Sequence, residues 1–579
     1  MKRVDWVWIL GVTCVGCLGG GGGPGTPGTP AAQFPSKAAL ASVVARSAEP
    51  KAASSVVDAD RWAMQPQAPS ADYPRDTLWD QLLVDGAQGH ADVRASASLR
   101  CAARELARFY VEHGGAPDDG IRRHILVRCG STVVNTSWSQ LTVTIPDNVP
   151  DAELERQLKS QVSDFVQKQL FNYPGETALG FARGHGRAAW VGYMGRPEVR
   201  FDGLSPLISG NSVTLQGTLL KPAAYAMSMV NQGAYGVARC VSDTTLALPA
   251  FRISCPVLEQ DDHALVEIAT RSEGQVLLNV VAQVELRRNE TADLDYDAGS
   301  YGDNVAAPST EAFGTTLLAG LNRVRAAAGV AQLTLEPRQS QTNGKLAPHL
   351  FLSSISHDAE SENTIALGAL AGWDVSGMIR DGGIFFGSVN GSRNPSRWLT
   401  YALESPLGRL VLLSPDMSRT GIGVTSLDPN GVGALITTYA FFGNQDHGAD
   451  EVAVLQELAR QRALRGLPAP RRARSEGSLL RALERVSKNE QNSMDALRTT
   501  IQDVVSSSGR PVRGYVMETT DLRSLKFDPS LLANGALNLQ LGITHYRAPG
   551  GAWGQYCLFF VILDSQVREA KVARPRAQL

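Results

Sequence analysis

The sequence predicts an α+β protein of several modules, on three observations. Segments with apolar residues at helical spacing alternate with short β-type runs, residues 201–290 are β-type throughout, and a Gly/Pro/Ala/Ser-rich stretch separates an apolar leader from the rest. With 579 residues the chain is long enough for several hydrophobic cores, because one domain takes about 100–200 residues. Its 55 Lys and Arg against 57 Asp and Glu leave a formal charge of −2. That balance provides no basic footprint for bulk nucleic-acid binding, so nucleic acid is not expected as a partner.

Residues 1–17 read as a signal peptide: Lys2 and Arg3 precede an apolar run too short to span a bilayer. Val15-Gly16 before Cys17, and the glycine run after it, resemble a bacterial lipobox, whose thiol is acylated and becomes the new N-terminus. The departures are Cys14 where that motif prefers leucine and Asp5 in the basic head; Cys14 is itself the alternative acylation site, behind Val12-Thr13. The resemblance implies export and a lipid anchor to a membrane, as a cell-envelope lipoprotein of the outer membrane or cell surface. Two acyl chains hold stably, since each buried CH₂ contributes about 0.8 kcal/mol. Residues 18–71 show little hydrophobic periodicity and are expected to form a disordered tether.

Residues 72–200 predict an α/β module. LRCAARELARFYVEHGG carries Leu99, Ala102, Leu106, Phe109 and Tyr110 at helical spacing and stops at Gly114-Gly115. Cys101 on it is expected to bond Cys129. A further helix opens at Pro150-Asp151, and TALGFARGHGRAAWVGYMG reads as two strands about a Gly-rich turn. Gly184-His185-Gly186 lies in that turn and not between a strand and a helix, so it is no dinucleotide loop. Short runs over 201–290 predict a small β-sandwich stapled by Cys240–Cys255, which leaves Cys557 as a buried thiol in CLFFVIL. Residues 291–311 read as a solvated acidic linker. Asp293, Asp295 and Asp297 have calcium-loop spacing, but Ala298 stands at the turn glycine and Asn304 at the bidentate glutamate.

In residues 312–444, LNRVRAAAGVAQL, SPLGRLVLLSP and TGIGV follow one another as helix, turn and strand. In that order they resemble the bacterial branch of the CAP superfamily (cysteine-rich secretory, antigen 5 and pathogenesis-related proteins). The resemblance covers Phe313 to Gly443 and implies an α-β-α sandwich with a cleft that family members line with two histidines and acidic residues. Ser405-Pro406-Leu407-Gly408-Arg409 matches the family's turn but has Gly408 in place of the histidine. His357 matches the first cleft histidine; Glu362-Asn363 is similar to the Gly-Glu-Asn motif but too close to His357, and Phe385-Phe386-Gly387 stands where that motif belongs. A metal needs several converging ligands, so no metal site and no cofactor are expected. His349 reads as a structural histidine and Glu404 as a solvated helix end.

LARQRALRGLPAP, at the start of residues 445–579, repeats the pattern of LNRVRAAAGVAQL, and LARFYVEHGGAPD in the first module keeps part of it. Hairpins opening at Leu179-Gly180-Phe181, Ile422-Gly423-Val424 and Leu541-Gly542-Ile543 follow each helix, so three divergent CAP-like modules are expected. The basic run RQRALRGLPAPRRAR reads as a solvated linker. HExxH, Walker A and GxSxG are all missing from the sequence. A non-catalytic binding or structural lipoprotein with a protein, lipid or glycan partner is therefore expected. The alternative is a peptide or ester hydrolase using His357 with Glu362 or Glu404.

Overall fold

The computed structural model describes residues 14–15, 34–46, 56–57, 59–65 and 72–563, except 205–206, 276, 289–294, 298–300, 302–304, 357, 428–430, 444–446, 476, 509–511, 520–521, 523–524, 534 and 549–550. Cys17, His357 and Asp293 lie outside the described residues. The fold is α+β, with several small sheets. The chain forms two compact units, one over Phe34–Val375 and Gly382–Tyr439, the other from Ser376–Asp381 and Ala440 onward. Among the described residues no helix is long and apolar enough to cross a membrane.

Three α/β modules share one element order. The first runs through helix Leu78–Ala87, strand Val93–Ala95, helices Ala97–His113 and Asp119–Arg128, strand Thr136–Thr144, helix Asp151–Phe165, and a hairpin of Gly175–Gly184 with Arg187–Gly195. The second runs through helix Thr310–Ala327, strand Thr334–Leu335, helices Pro337–Ile355 and Ala359–Leu370, and strand Ile379–Val389. It ends with helices Pro395–Glu404 and Pro406–Leu412 and a hairpin of Arg419–Ser426 with Val432–Phe441. The third has helix His447–Ala463, strand Arg471–Arg472, helices Gly477–Ser487 and Ser493–Ser508, strand Val512–Thr519, the 3-10 turn Pro529–Leu532, and a hairpin of Asn538–Tyr546 with Gln555–Leu563. The strand order is also common: the short strand pairs parallel with the first hairpin strand, the second hairpin strand follows, and the middle strand lies beyond it.

This order corrects one alignment. The leading helix of the first module is Leu78–Ala87, and Leu106–Asp118 belongs to the second helix and the turn after it. Any amphipathic helix that ends on a glycine carries that much likeness, and the sheet register decides which helix corresponds.

The aliphatic-Gly-apolar triplets mark where the second helix crosses the first hairpin strand. A Cβ on Gly180 would stand 2.1 Å from the backbone carbon of Ala103, one on Gly423 2.2 Å from that of Asn343, and one on Gly542 2.5 Å from a Leu483 methyl. Helix and strand backbones thus meet directly in the first two modules, an approach that only glycine permits.

A buried guanidinium holds the loop before the hairpin in the second and third modules. Arg325 donates through Nε to Ala331 O (2.8 Å) and through Nη1 and Nη2 to Leu412 O (2.7 Å), Ser414 O (3.1 Å) and Met417 O (2.9 Å). Arg462 donates likewise to Pro468 O (2.8 Å), Leu531 O (2.7 Å), Ala533 O (3.3 Å) and Gly535 O (2.6 Å). Each stands four residues before a glycine with positive φ, Gly329 or Gly466. The basic run is therefore no linker: Arg462 is buried, and Arg471–Arg472 pairs with Asn538–Leu539. In the first module Asp85 stands at the equivalent spacing before Gly89.

Between the first two modules, a four-stranded sheet faces strands Tyr225–Gln232, Gly236–Arg239, His263–Arg271 and Leu278–Arg287 of a nine-stranded sheet, over one core that includes Val213, Leu215, Ile253, Val266 and Val284. The two-residue strand Cys14–Val15 pairs with Leu278–Arg287 on one side and Ile379–Val389 on the other. Disulfides join Cys101 to Cys129 and Cys240 to Cys255, and Cys557 is a buried free thiol.

Two segments expected to be solvated are folded. Within 18–71, helix Lys37–Arg46 buries Leu40 and Val43, and strand Arg61–Ala63 buries Trp62 against Phe109, with its indole Nε1 donating to Glu105 Oε2 at 3.2 Å. Within 291–311, strand Asp295–Asp297 pairs with Arg61–Ala63 and buries Tyr296. One aromatic side chain in each polar stretch carries enough apolar area to order it once a complementary surface exists.

Gly423→Ala should destabilise the chain by about 1–3 kcal/mol through overpacking. Gly344→Ala, in the crossing helix Pro337–Ile355 but with no atom within 4 Å of the added methyl, should be neutral or stabilising by about 0.5–1 kcal/mol. Urea denaturation of the two variants measures the contrast.

Candidate functional site

The turn Ser405–Arg409 is built from the end of helix Pro395–Glu404 and the start of helix Pro406–Leu412. Ser405 caps the second helix, accepting from Gly408 N at 3.3 Å, and Pro406 takes the first helical position, where no amide proton is needed. Gly408 has a steric reason: a Cβ there would stand 1.9 Å from Ala402 O, so this backbone admits no histidine.

The turn is covered by the β-sandwich. Glu267, fully buried on strand His263–Arg271, accepts from Ser405 Oγ (2.7 Å to Oε2) and from Leu407 N (3.0 Å) at the helix N-terminus. It also accepts from Arg123 Nη2 (2.8 Å) and Gln283 Nε2 (2.9 Å). Arg409 donates to Leu403 O at 2.6 Å and, across the same interface, to Gly233 O (2.9 Å) and Gly236 O (3.0 Å), while Asn231 Nδ2 donates to Glu404 O at 2.7 Å. A buried carboxylate is tolerated only when its charge and lone pairs are met, and Glu267 meets both with groups from three segments.

Arg123 and its neighbours on helix Asp119–Arg128 tie the first module to the same place. Arg123 Nη1 donates to Tyr401 O at 2.9 Å, Arg128 pairs with Glu285, and Asp119 accepts from Asn390 N (2.9 Å) and Nδ2 (2.8 Å). Arg397, buried on helix Pro395–Glu404, pairs with Asp118 and with Asp60.

These contacts leave a cavity of about 130 Å³, lined among others by Glu404, Arg123, Arg128, Arg409, His124, His263 and Glu285. Glu404 is not the solvated helix end that its position in the sequence suggests. Burial pushes its carboxyl up to about 7, although Arg123, Arg128 and Arg409 pull the other way. Burial likewise lowers the His263 imidazole, with Arg128 adding to the effect. The cavity holds a few waters or a small ion, each water taking roughly 30 Å³. It is well short of the roughly 300 Å³ at which small-molecule pockets begin. A peptide or glycan does not fit in it.

The other sequence-predicted site residues do not gather here. Glu362 lies in the first two turns of helix Ala359–Leu370, His349 lies near the end of helix Pro337–Ile355, and Phe385-Phe386-Gly387 forms buried strand. Glu267 and Arg123 were missed. The signal was present in ALVEIAT, an acid inside an apolar strand, and in DGIRRHILVR, paired arginines inside a short helix. Among the described residues, histidine and carboxylate ligand atoms of three side chains converge at His447, Asp450 and His545 in the third module.

Glu267→Ala should cost about 3–5 kcal/mol, since it leaves Arg123 buried without its charge partner. Limited proteolysis is then expected to cut sooner in the first unit, and Arg123→Ala in the same chain should recover part of the loss. A second expectation follows from Glu404. Its raised carboxyl stays protonated in the folded state while the unfolded one ionises above its ordinary value of 4.5, so stability falls as pH rises from there through about 7. Glu404→Gln should remove that slope and gain on the order of 1–3 kcal/mol at pH 8, read from melting curves across pH.

No protein-family model matches the chain, and no curated protein matches it. Among solved structures, the chain is similar to an extracellular protein containing a SCP domain from Bacillus anthracis str. Ames. The identity is 10%, covering 40% of this chain and 78% of that one, at a TM-score of 0.19. It is also similar to a cysteine-rich secretory protein from Staphylococcus aureus subsp. aureus Mu50, with 12% identity, 42% of this chain and 82% of that one covered, and a TM-score of 0.17.

Proposed function

We propose that the chain is an exported lipoprotein, anchored to the cell envelope through an acylated Cys17, whose CAP-like modules serve as non-catalytic binding or scaffold units for a protein, lipid or glycan partner. The observation that carries the non-catalytic part is the burial of the turn Ser405–Arg409 under Glu267, Asn231 and the carbonyls of Gly233 and Gly236. A cleft enzyme needs that turn open to its substrate, whereas a scaffold gains from having it locked. Gly408 and the small cavity agree with this reading. A Gly/Pro-rich stretch starts directly after the lipobox cysteine, and cleavage before Cys17 would remove the strand Cys14–Val15 from the mature chain.

A hydrolase reading draws on the place of Glu404 in the cavity beside Arg123, His124 and His263, where burial pushes its carboxyl up to about 7, as suits a general acid at neutral pH. One set of measurements separates the two. In cells fed labelled palmitate, the wild type should incorporate label and sediment with membranes, and Cys17→Ser should do neither. The purified chain should turn over peptide and ester substrates no faster than Glu404→Gln does. Label retained in Cys17→Ser would overturn the anchor, and wild-type turnover lost in Glu404→Gln would overturn the non-catalytic role.

A further inference from the structure

The third module brings together three side chains that the functional reading does not use. His447 opens helix His447–Ala463, Asp450 follows three residues later on the same face, and His545 comes from the adjacent strand Asn538–Tyr546. Asp450 Oδ2 stands 3.5 Å from His545 Nε2 and 4.0 Å from His447 Nδ1, and the ligand atoms all lie within 4.8 Å of one another. His545 is only 7% exposed, and its Nε2, like His447 Nδ1, is buried without a hydrogen-bond partner.

A buried ring nitrogen with no hydrogen bond has lost its water and gained nothing in return, and most buried polar atoms in folded proteins avoid that state. One positive centre between them would satisfy both nitrogens and the carboxylate at once. We propose that His447, Asp450 and His545 bind one divalent ion of the Zn²⁺ type, with a fourth position left to water. Two imidazoles and a carboxylate suit this class of ion better than Ca²⁺ or Mg²⁺, which take oxygen ligands. Bonds of 2.0–2.2 Å in a tetrahedral site put neighbouring ligand atoms roughly 3.3–3.6 Å apart. The Asp450–His545 separation already meets this. The remaining closure falls to His447, on the first turn of its helix with its side chain 25% exposed.

The surroundings fit the ion. Phe442 stacks at 4.4 Å from the His545 ring, Tyr556 meets it edge-on at 4.7 Å, and together they form a low-dielectric wall that strengthens a metal–ligand bond. An ion held here links the leading helix to the sheet.

The test uses the full chain, purified through a tag without histidine and stripped with a chelator. Titration with Co²⁺ should give a visible d–d band that saturates at one ion per chain and is abolished by Zn²⁺, and Zn²⁺ should raise the melting temperature. His545→Gln and Asp450→Asn should each weaken Co²⁺ binding at least tenfold. His447→Ala, at a partly exposed helix start, should do the same with unchanged circular dichroism, which decides the matter if the buried variants fail to fold. A wild type with no saturable Co²⁺ band, or His447→Ala binding as tightly as wild type, would overturn the site.

Discussion

One buried carboxylate organises the larger unit. Glu267 lies on a strand of the β-sandwich, yet it accepts from Arg123 of the first module and from Ser405 and Leu407 of the second. Desolvating a carboxylate is costly, and these donors offset the cost only if all three segments hold their places together. The contact therefore couples the first module, the β-sandwich and the second module, and spends the turn Ser405–Arg409 on holding them. The small cavity beside it lies among the same arginines and carboxylates, and the burial that raises the Glu404 carboxyl within it outweighs the opposing pull of Arg123, Arg128 and Arg409.

Below that level the α/β modules repeat one solution. Their order of helices and strands is common, and two local devices make it work: a glycine where the second helix crosses the hairpin, and, in the second and third modules, an arginine bonded to the carbonyls of a loop. The glycine sets the distance between layers. The arginine satisfies loop carbonyls that would otherwise be buried unpaired, which is why it tolerates complete burial without a carboxylate partner. The first module dispenses with the arginine and has Asp85 at that spacing, so the shared order does not require an identical loop.

The buried polar groups of the two units have different chemistry. Glu267 accepts from Arg123, Gln283, Ser405 and Leu407, all within the chain, and the result is a joint. Around His545 two ring nitrogens without a hydrogen-bond partner face one carboxylate, the arrangement that the proposed ion would satisfy.

The sequence by itself determined the α+β class, the helix and hairpin patterns, and the glycine triplets, because these depend on residues near in the chain and on periodicities of 3.6 and 2. The pairings Cys101–Cys129 and Cys240–Cys255 were legible for the same reason, each joining neighbouring segments. It misjudged Glu404, the basic run around Arg462, the stretch around Trp62 and the acidic stretch around Tyr296, all read as solvated. Each of these residues is polar or isolated in its local context, and its burial depends on surface brought from distant segments: Asn231 and Arg123 for Glu404, Leu531 for Arg462, Phe109 for Trp62, Arg61–Ala63 for Tyr296. Only the tertiary structure decided them, because the free energy of burying a charge or a lone aromatic ring depends on the partners that meet it, and local pattern does not carry that information.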